Sequence, residues 1–498
     1  MKIKILRLIF FPLFFIPLKS SYYASQDYEN KDQIFLLQNK IEASPLSEKN
    51  ELIITFDNLK SLLLKNNKQL QKYRSQVEQN KLILNSKIAK WSPRVSISSA
   101  SLPSYSNGYA NNKLKSDTET KQLKVGLDSS IEWDIIEPKR RLEIKIARDK
   151  VQNSNFQYDS LFKSLYFDVL NNFYTIQALN EEKNVAKKAI EISKLAVQDA
   201  ENRFKQGIGN KLDVLEAQTQ LHRDEINLLK REKNFKLNKN LLAENLNIDK
   251  EFRIQDHDSN LISFIWDIDK KNAYSSLLEN NEEILIGKRN IEINNKEALV
   301  ILSEKKPKFT LYNKYSFSSS EGEAGSTSLN KDNQINDVNN TVGLRLNWNL
   351  FDGGVIRQNY LARKNRNFEL QYDLDLKKKQ LFREINDTYD EYTSIQEKII
   401  LSYQQLQSAK ESLFISMKRM EAGITTQREV VNTQGDVIEA ETNFINSLKK
   451  YKIILATFNK ITNISPSPIC SYKVLNKKDI NSRFKKFLSK NNLIKNCI

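Results

Sequence analysis

Side chains that could carry covalent or metal chemistry are scarce in this chain of 498 residues, which holds two histidines and two cysteines. His222 and His257 lie far apart in sequence, and His222 falls on a long helical pattern where a surface position explains it. Cys470 and Cys497 both lie near the C-terminus. In an oxidising compartment they could pair, or stay two free thiols. No Gly-rich phosphate loop, metal-spaced Cys/His cluster or nucleophile motif occurs. The sequence therefore predicts no enzyme, no cofactor and no metal.

The pattern that does recur is a turn. It reads RFKQGIGNKLDVLEAQ from Arg203 to Gln218, and RMEAGITTQREVVNTQ from Arg419 to Gln434, 216 positions later. Arg203/Arg419, Gly207/Gly423, Ile208/Ile424, Asp213/Glu429 and Val214/Val430 stand in register. Gly207 and Gly423 suit the left-handed residue that ends a helix, because only Gly takes that conformation without a Cβ clash. Asn210-x-x-Asp213 and Thr426-x-x-Glu429 read as capping boxes for the helix that follows. Such tips offer no covalent chemistry, but an isoleucine exposed on each turn, Ile208 and Ile424, is unusual enough to suggest a contact. Asp213 and Glu429 also have a plainer reading as capping carboxylates, compatible with the first.

Long helices must present these tips. Hydrophobic residues are 39% and charged residues 28%, which suits helices with narrow apolar seams better than a thick globular core. The net charge of +17 is spread along helical segments beside Glu and Asp, so it reads as solvated surface, and no nucleic-acid partner is expected. Val169, Ile176, Lys183, Ile190, Val197 and Phe204 recur at a spacing of seven, and Ile385, Tyr392, Ile399, Leu406, Leu413 and Met420 repeat them. Beyond each tip Val214, Leu221, Leu228, Phe235 and Leu242 are matched by Val430, Val437, Phe444, Tyr451 and Phe458. A strict heptad in both copies predicts coiled coils. An earlier helix, about 55–91, carries Leu63, Leu70, Val77 and Leu84, with a copy at Leu277, Ile284, Ile291 and Ala298. Stacked end to end on the returning helix, it would match the length of the long one.

Between the helices the period falls to two. Phe309, Leu311, Tyr315 and Phe317 alternate with Lys308, Thr310, Lys314 and Ser316. Leu127, Ile131 and Trp133 alternate with Asp128, Glu132 and Asp134; Leu344, Leu346 and Trp348 alternate with Arg345, Asn347 and Asn349. Polar loops are expected near 102–121 and 318–340. At the N-terminus Lys2, Lys4 and Arg7 precede a short apolar run, the pattern of a secretory signal. With such a signal, strands having one apolar and one polar face fit a closed membrane barrel, and four strands need further chains to close it. Trp91, Trp133 and Trp348 then fall at an interfacial girdle; alternatively they are core aromatics of a strand–helix junction.

These features resemble the TolC-like outer-membrane efflux protein family. The resemblance rests on the doubled helix–strand–strand–helix–helix plan, the tips, and VGLRLNWNLFDGG from Val342 to Gly354, and it covers about residues 52–462. It implies a mainly α fold with a small β part: a long coiled-coil α-barrel plus four strands per chain, contributed to a shared transmembrane β-barrel by a homotrimer. It implies a passive exit duct of tripartite efflux or type I secretion, in the outer membrane with a large periplasmic part. The implied partners are a periplasmic adaptor (membrane-fusion) protein, an inner-membrane RND or ABC transporter, and outer-membrane lipid. Docking would use Arg203, Gly207, Ile208, Asp213, Val214, Leu215, Arg419, Gly423, Ile424, Glu429, Val430 and Val431. Asp213, Glu429 and Asn432 would line the aperture. Leu127, Ile131, Trp133, Phe309, Leu311, Leu344, Leu346 and Trp348 would face lipid.

Two positions depart from that family: Asn432 is uncharged where relatives are often acidic, and Thr425 replaces an Arg that locks some closed entrances. A weaker or different closure is expected. The expected division is a signal peptide at 1–24, a flexible extension at 25–50, repeat 1 at 51–248, a linker at 249–268, repeat 2 at 269–462 and a basic tail at 463–498. The alternatives are a periplasmic adaptor, which normally has one coiled-coil hairpin, and another coiled-coil structural protein. The strand hairpins argue against both.

Overall fold

The computed structural model describes residues 52–110, 118–249, 251–255, 262–324, 334–468, 482–491 and 493. The expected signal peptide and extension, His257, Cys470 and Cys497 lie outside the described residues. The chain divides into two units. Of the first, Leu52 and Glu251–Arg253 are described, and the Leu52 N–H donates to the Glu251 carbonyl at 3.3 Å. The second unit holds the remaining described residues.

In chain order the strands are β1 (Leu52–Ile54), β2 (Arg94–Ala110), β3 (Thr118–Ile136), β4 (Phe252–Ile254), β5 (Phe264–Ile265), β6 (Lys308–Ala324), β7 (Gln334–Asn347) and β8 (Ser467–Pro468). The helices are α1 (Phe56–Asn66), α2 (Lys68–Ala89), α3 (Arg140–Lys205), α4 (Lys211–Leu246), α5 (Lys270–Asn280), α6 (Glu282–Ser303), α7 (Val355–Glu421), α8 (Gln427–Thr462) and α9 (Ser482–Lys490). The repeat is visible in the lengths: α3 and α7 have 66 and 67 residues, and α4 and α8 have 36 each. At about 1.5 Å per residue the long helices run about 100 Å.

The heptad seams are buried where α3 packs on α4 and α7 on α8: Val169, Ile176, Ile385, Ile399, Leu242, Tyr451 and Phe458 are nearly inaccessible. Lys183, a charge on that seam, lays its ammonium over the Phe235 ring, 4.5 Å from the centroid. The two repeats meet along α3, which packs on α6 and α8.

The expected helix over 55–91 is in fact two. Asn67 and its repeat partner Asn281 take extended backbone and cap a new helix, accepting from the Leu70 N–H at 3.0 Å and the Glu283 N–H at 3.0 Å. Their amide nitrogens donate to Asn245 O (2.7 Å) and Ile461 O (3.0 Å), carbonyls left free at the ends of α4 and α8. One side chain thus serves the start of one helix and the end of another. This is the end-to-end stacking that the lengths require, and Asn is suited to it because its amide both donates and accepts.

The core thickens at the level of β5. Trp266 stacks on Phe458 with centroids 4.3 Å apart and donates its indole N–H to the Tyr389 hydroxyl at 2.9 Å. From the tail, α9 adds buried Phe484 and Leu488, and Leu493 accepts from the Ile262 N–H at 2.9 Å. Part of the segment read as a basic tail is therefore core.

Candidate functional site

Two regions carry the candidate residues: the sheet and the helix tips. The sheet has the order β2-β3-β6-β7 and is antiparallel throughout. Directly paired residues share a face, so the register tests the alternation across all four strands. On one face Val95 pairs with Ile131, Trp133 with Leu311, Leu311 with Leu344, Phe309 with Leu346, and Leu127 with Phe317. On the other, Arg94 pairs with Glu132, Ser130 with Lys314, Asp128 with Ser316, and Thr310 with both Asp134 and Arg345. The apolar face is uncovered in the single chain: Leu127, Ile131, Trp133, Leu344, Leu346 and Trp348 are exposed, and Phe309 and Leu311 half-buried.

The polar face is laced by ions. Glu132 accepts from Arg94 at 2.6 Å and from Arg345 at 3.4 Å; Lys308 reaches Asp134 at 2.9 Å, and Lys314 reaches Asp128 at 3.6 Å. Such a face suits water. The outer strands β2 and β7 each have one edge with no partner strand among the described residues.

The ladders run further than expected. Tyr105, Ser106 and Asn107 pair with Leu123, Gln122 and Lys121, and Ser318 to Ser320 pair with Asp337 to Ile335, where polar loops were predicted. Backbone hydrogen bonds do not need apolar side chains, so the hairpins extend past the stretch whose alternation a membrane would impose.

At the other end of the sheet both repeats turn the same corner. Trp133 donates its indole N–H to Trp91 O at 2.8 Å, and Trp348 donates to Lys305 O at 3.0 Å. Each indole body stays exposed while its polar edge is satisfied, the division of labour of an interfacial Trp. No helix among the described residues is long and apolar enough to cross a membrane.

At the tips, Gly207 and Gly423 have φ of 76° and 72°, the left-handed stop. The N–H groups of Ile208 and Ile424 close back on Arg203 O (3.1 Å) and Arg419 O (2.8 Å). The first capping box forms: the Asp213 N–H donates to Asn210 Oδ1 at 2.9 Å, and the Asn210 N–H to Asp213 Oδ2 at 3.3 Å. The second does not. Thr426 makes no side-chain cap bond, and the Glu429 carboxylate instead takes Arg419 at 2.8 Å and the Thr425 hydroxyl. A guanidinium within reach is a stronger donor than a backbone N–H, and Arg203 at the matching place is turned to Asp199 at 2.9 Å.

Ile208 and Ile424 are 74% and 68% exposed, and Leu215 is also exposed. Asp213, Glu429 and Val431 are intermediate, and Asn432 and Gly423 lie on the surface. Val214 and Val430 are buried, Val214 against Ala200 and Ala217, so they support the tips from within. Sequence reasoning missed the link between the tips. Arg428 on α8 donates through Nε to Glu216 on α4 at 3.1 Å, and again through Nη2. Just above, Gln434 donates to Ala189 O (3.1 Å) and Ser193 Oγ (3.0 Å), and the Ser193 hydroxyl donates to buried Asp224 at 2.5 Å. Nothing in the heptad pattern marks these polar residues as partners.

The family model for the outer membrane efflux protein matches residues 59–247 and 273–463. A search of curated proteins finds no match. Among solved structures, the outer membrane protein VceC from Vibrio cholerae is 15% identical; the match covers 82% of this chain and 96% of that one, with a TM-score of 0.65. The CmeC outer membrane channel of Campylobacter jejuni is 15% identical over 91% of this chain and 95% of that one, with a TM-score of 0.66. The open state of the Neisseria gonorrhoeae MtrE outer membrane channel is 12% identical over 84% and 93%, with a TM-score of 0.61. At these identities the likeness concerns the fold, while the family match spans both repeats and most of the chain. The chain belongs to the outer membrane efflux protein family, as a non-enzymatic efflux channel of the outer membrane with a periplasmic helical part.

Proposed function

We propose that three copies of the chain close one barrel of twelve strands. The barrel continues below as a helical duct, and the tips form its periplasmic mouth and the docking surface for an adaptor. The observation that carries this reading is the sheet: an uncovered apolar face, an ion-laced polar face and two open edges. A barrel satisfies all three, because closure pairs the edges, lipid covers the outer face and water fills the inside. Cargo passes from an inner-membrane RND or ABC transporter through the adaptor into the duct, which conducts it passively.

At the mouth, Ile208, Leu215 and Ile424 are the apolar contacts offered to the adaptor, with Arg203, Asp213, Arg419 and Val431 around them. Glu429, held by Arg419 and Thr425, and Asn432 line the aperture together with Asp213. Placing a carboxylate in an apolar contact blocks it through the cost of desolvation. Ile424→Asp is therefore expected to leave trimers and membrane insertion intact while abolishing adaptor crosslinking and export. Normal crosslinking and export in a correctly inserted Ile424→Asp trimer would remove Ile424 from the docking surface.

A further inference from the structure

The corner of the second repeat holds a cleft that the channel reading leaves unused. It opens between the end of α6, the end of β7 and the residues leading into α3, with a volume of about 560 Å³. Its wall changes character from one side to the other. Leu346 and Trp348 come from the apolar face of the sheet, while Glu137, Lys139, Glu304, Lys306 and Lys308 supply charge. Lys308 is committed to Asp134 at 2.9 Å and Glu137 at 3.0 Å, which also neutralises Glu137. Lys139, Lys306 and Glu304 have no ion-pair partner among the described residues. Two free ammonium groups and one free carboxylate therefore stand beside a Trp whose ring is pinned by its bond to Lys305 O.

We propose that this cleft binds the headgroup of a zwitterionic phospholipid of the phosphatidylethanolamine type from the periplasmic leaflet. Lys139 and Lys306 would take the phosphodiester, Glu304 the primary ammonium, and Leu346 and Trp348 the glycerol end of the acyl chains. The proposal rests on the sheet being the membrane-spanning part, which sets this corner at headgroup depth. Charge chooses the ligand. A purely anionic headgroup leaves Glu304 unpaired, and a free phosphate has no use for the apolar wall. The first repeat lacks the set: the counterpart of Lys306 is Ser92, and that of Glu304 is Lys90, already bonded to Glu143 at 3.4 Å. One site per chain is expected.

The test is native mass spectrometry of purified trimers titrated with phosphatidylethanolamine, phosphatidylglycerol or inorganic phosphate. Wild type is compared with Lys139→Ala/Lys306→Ala and with Glu304→Gln. Without its two phosphodiester partners, the double variant is expected to weaken phosphatidylethanolamine binding by about tenfold or more. Glu304→Gln is expected to abolish the preference for phosphatidylethanolamine over phosphatidylglycerol. Undiminished binding in the double variant overturns the site. So does a wild-type preference for phosphatidylglycerol, or displacement of the lipid by inorganic phosphate. Unheated gels separate the failures. Normal trimers without selective lipid sink the cleft alone, whereas absence of a membrane-inserted trimer sinks the barrel reading and the cleft with it.

Discussion

An arginine placed along the apolar face of β7 measures where each residue lies in the membrane. A barrel strand rises about 3.4 Å per residue and tilts about 35–45°, so each residue gains roughly 2.6 Å of depth. Taking Trp348 as the girdle, Leu346 sits about 5 Å inside and Leu344 about 10 Å inside, near the middle of an apolar band about 25 Å tall. The cost of Arg is about 2–4 kcal/mol at the midplane and falls to about 0–1 kcal/mol at the interface. Leu344→Arg is therefore expected to cost about 2–4 kcal/mol and Leu346→Arg about half as much. Asn347→Arg, on the water side, should cost little. The sheet contains its own control, since Arg345 already sits between the two leucines and faces Glu132 at 3.4 Å. Urea titration of barrel folding into vesicles, read by heat-dependent gel mobility, gives the three free energies. Equal losses at Leu344, Leu346 and Asn347 would refute the one-sided lipid face. A larger loss at Leu346 than at Leu344 would instead refute the depths counted from Trp348.

Three more outcomes follow from particular contacts. Gly423 is left-handed, and an added Cβ meets nothing within 4 Å, so Gly423→Ala should cost only the backbone strain, about 1 kcal/mol, with export retained. Gly423→Trp should keep trimers and stop export, as scored by adaptor crosslinking. Asn281→Ala removes a cap and leaves the Ile461 carbonyl unpaired at a buried joint, so denaturant unfolding should register a loss of about 1–3 kcal/mol, much more than a surface Asn→Ala. Burial pushes the Glu143 carboxyl up, but the hydrogen bond and charge of Lys87, with the charge of Lys90, outweigh it and hold its pKa below the usual value. A lowered folded pKa means that the joint between α2 and α3 is fully stabilised above about pH 4.5 and weakens as pH falls through the folded value. Unfolding curves of Glu143→Gln should lose that part of the acid dependence, with stability at neutral pH falling toward the level the wild type reaches in acid.

The repeat, the seams and the two-faced strands were legible because each is a periodicity within one stretch of chain. Tyr451, Phe458, Ile385 and Leu242 fall at the core positions that the heptad predicts. What escaped depends on groups brought from afar. Asn67 and Asn281 were visible as matched residues, but their partners Asn245 and Ile461 lie about 180 positions away. The Thr426-x-x-Glu429 motif was sound locally and lost to Arg419, whose side chain reaches the same carboxylate across the turn. Val214 and Val430 adjoin the turn and also open the heptad of the returning helix, and their burial follows the heptad rather than the tip. The polar ends of the strands looked like loops because ladder bonds carry no side-chain signature.

Closure between copies is tested most directly at the two open edges. In a chain with Cys470→Ser and Cys497→Ser, single cysteines replacing Val95 or Ile97 on β2 are paired with cysteines replacing Val342 or Leu344 on β7. The proteins are oxidised in native membranes and run on non-reducing gels. A barrel of three chains predicts that at least one pair gives a covalent ladder ending at three, with the single-cysteine chains remaining monomers. Edges that never crosslink between chains, and that stay open to water-soluble maleimide along their whole length, would contradict the shared barrel.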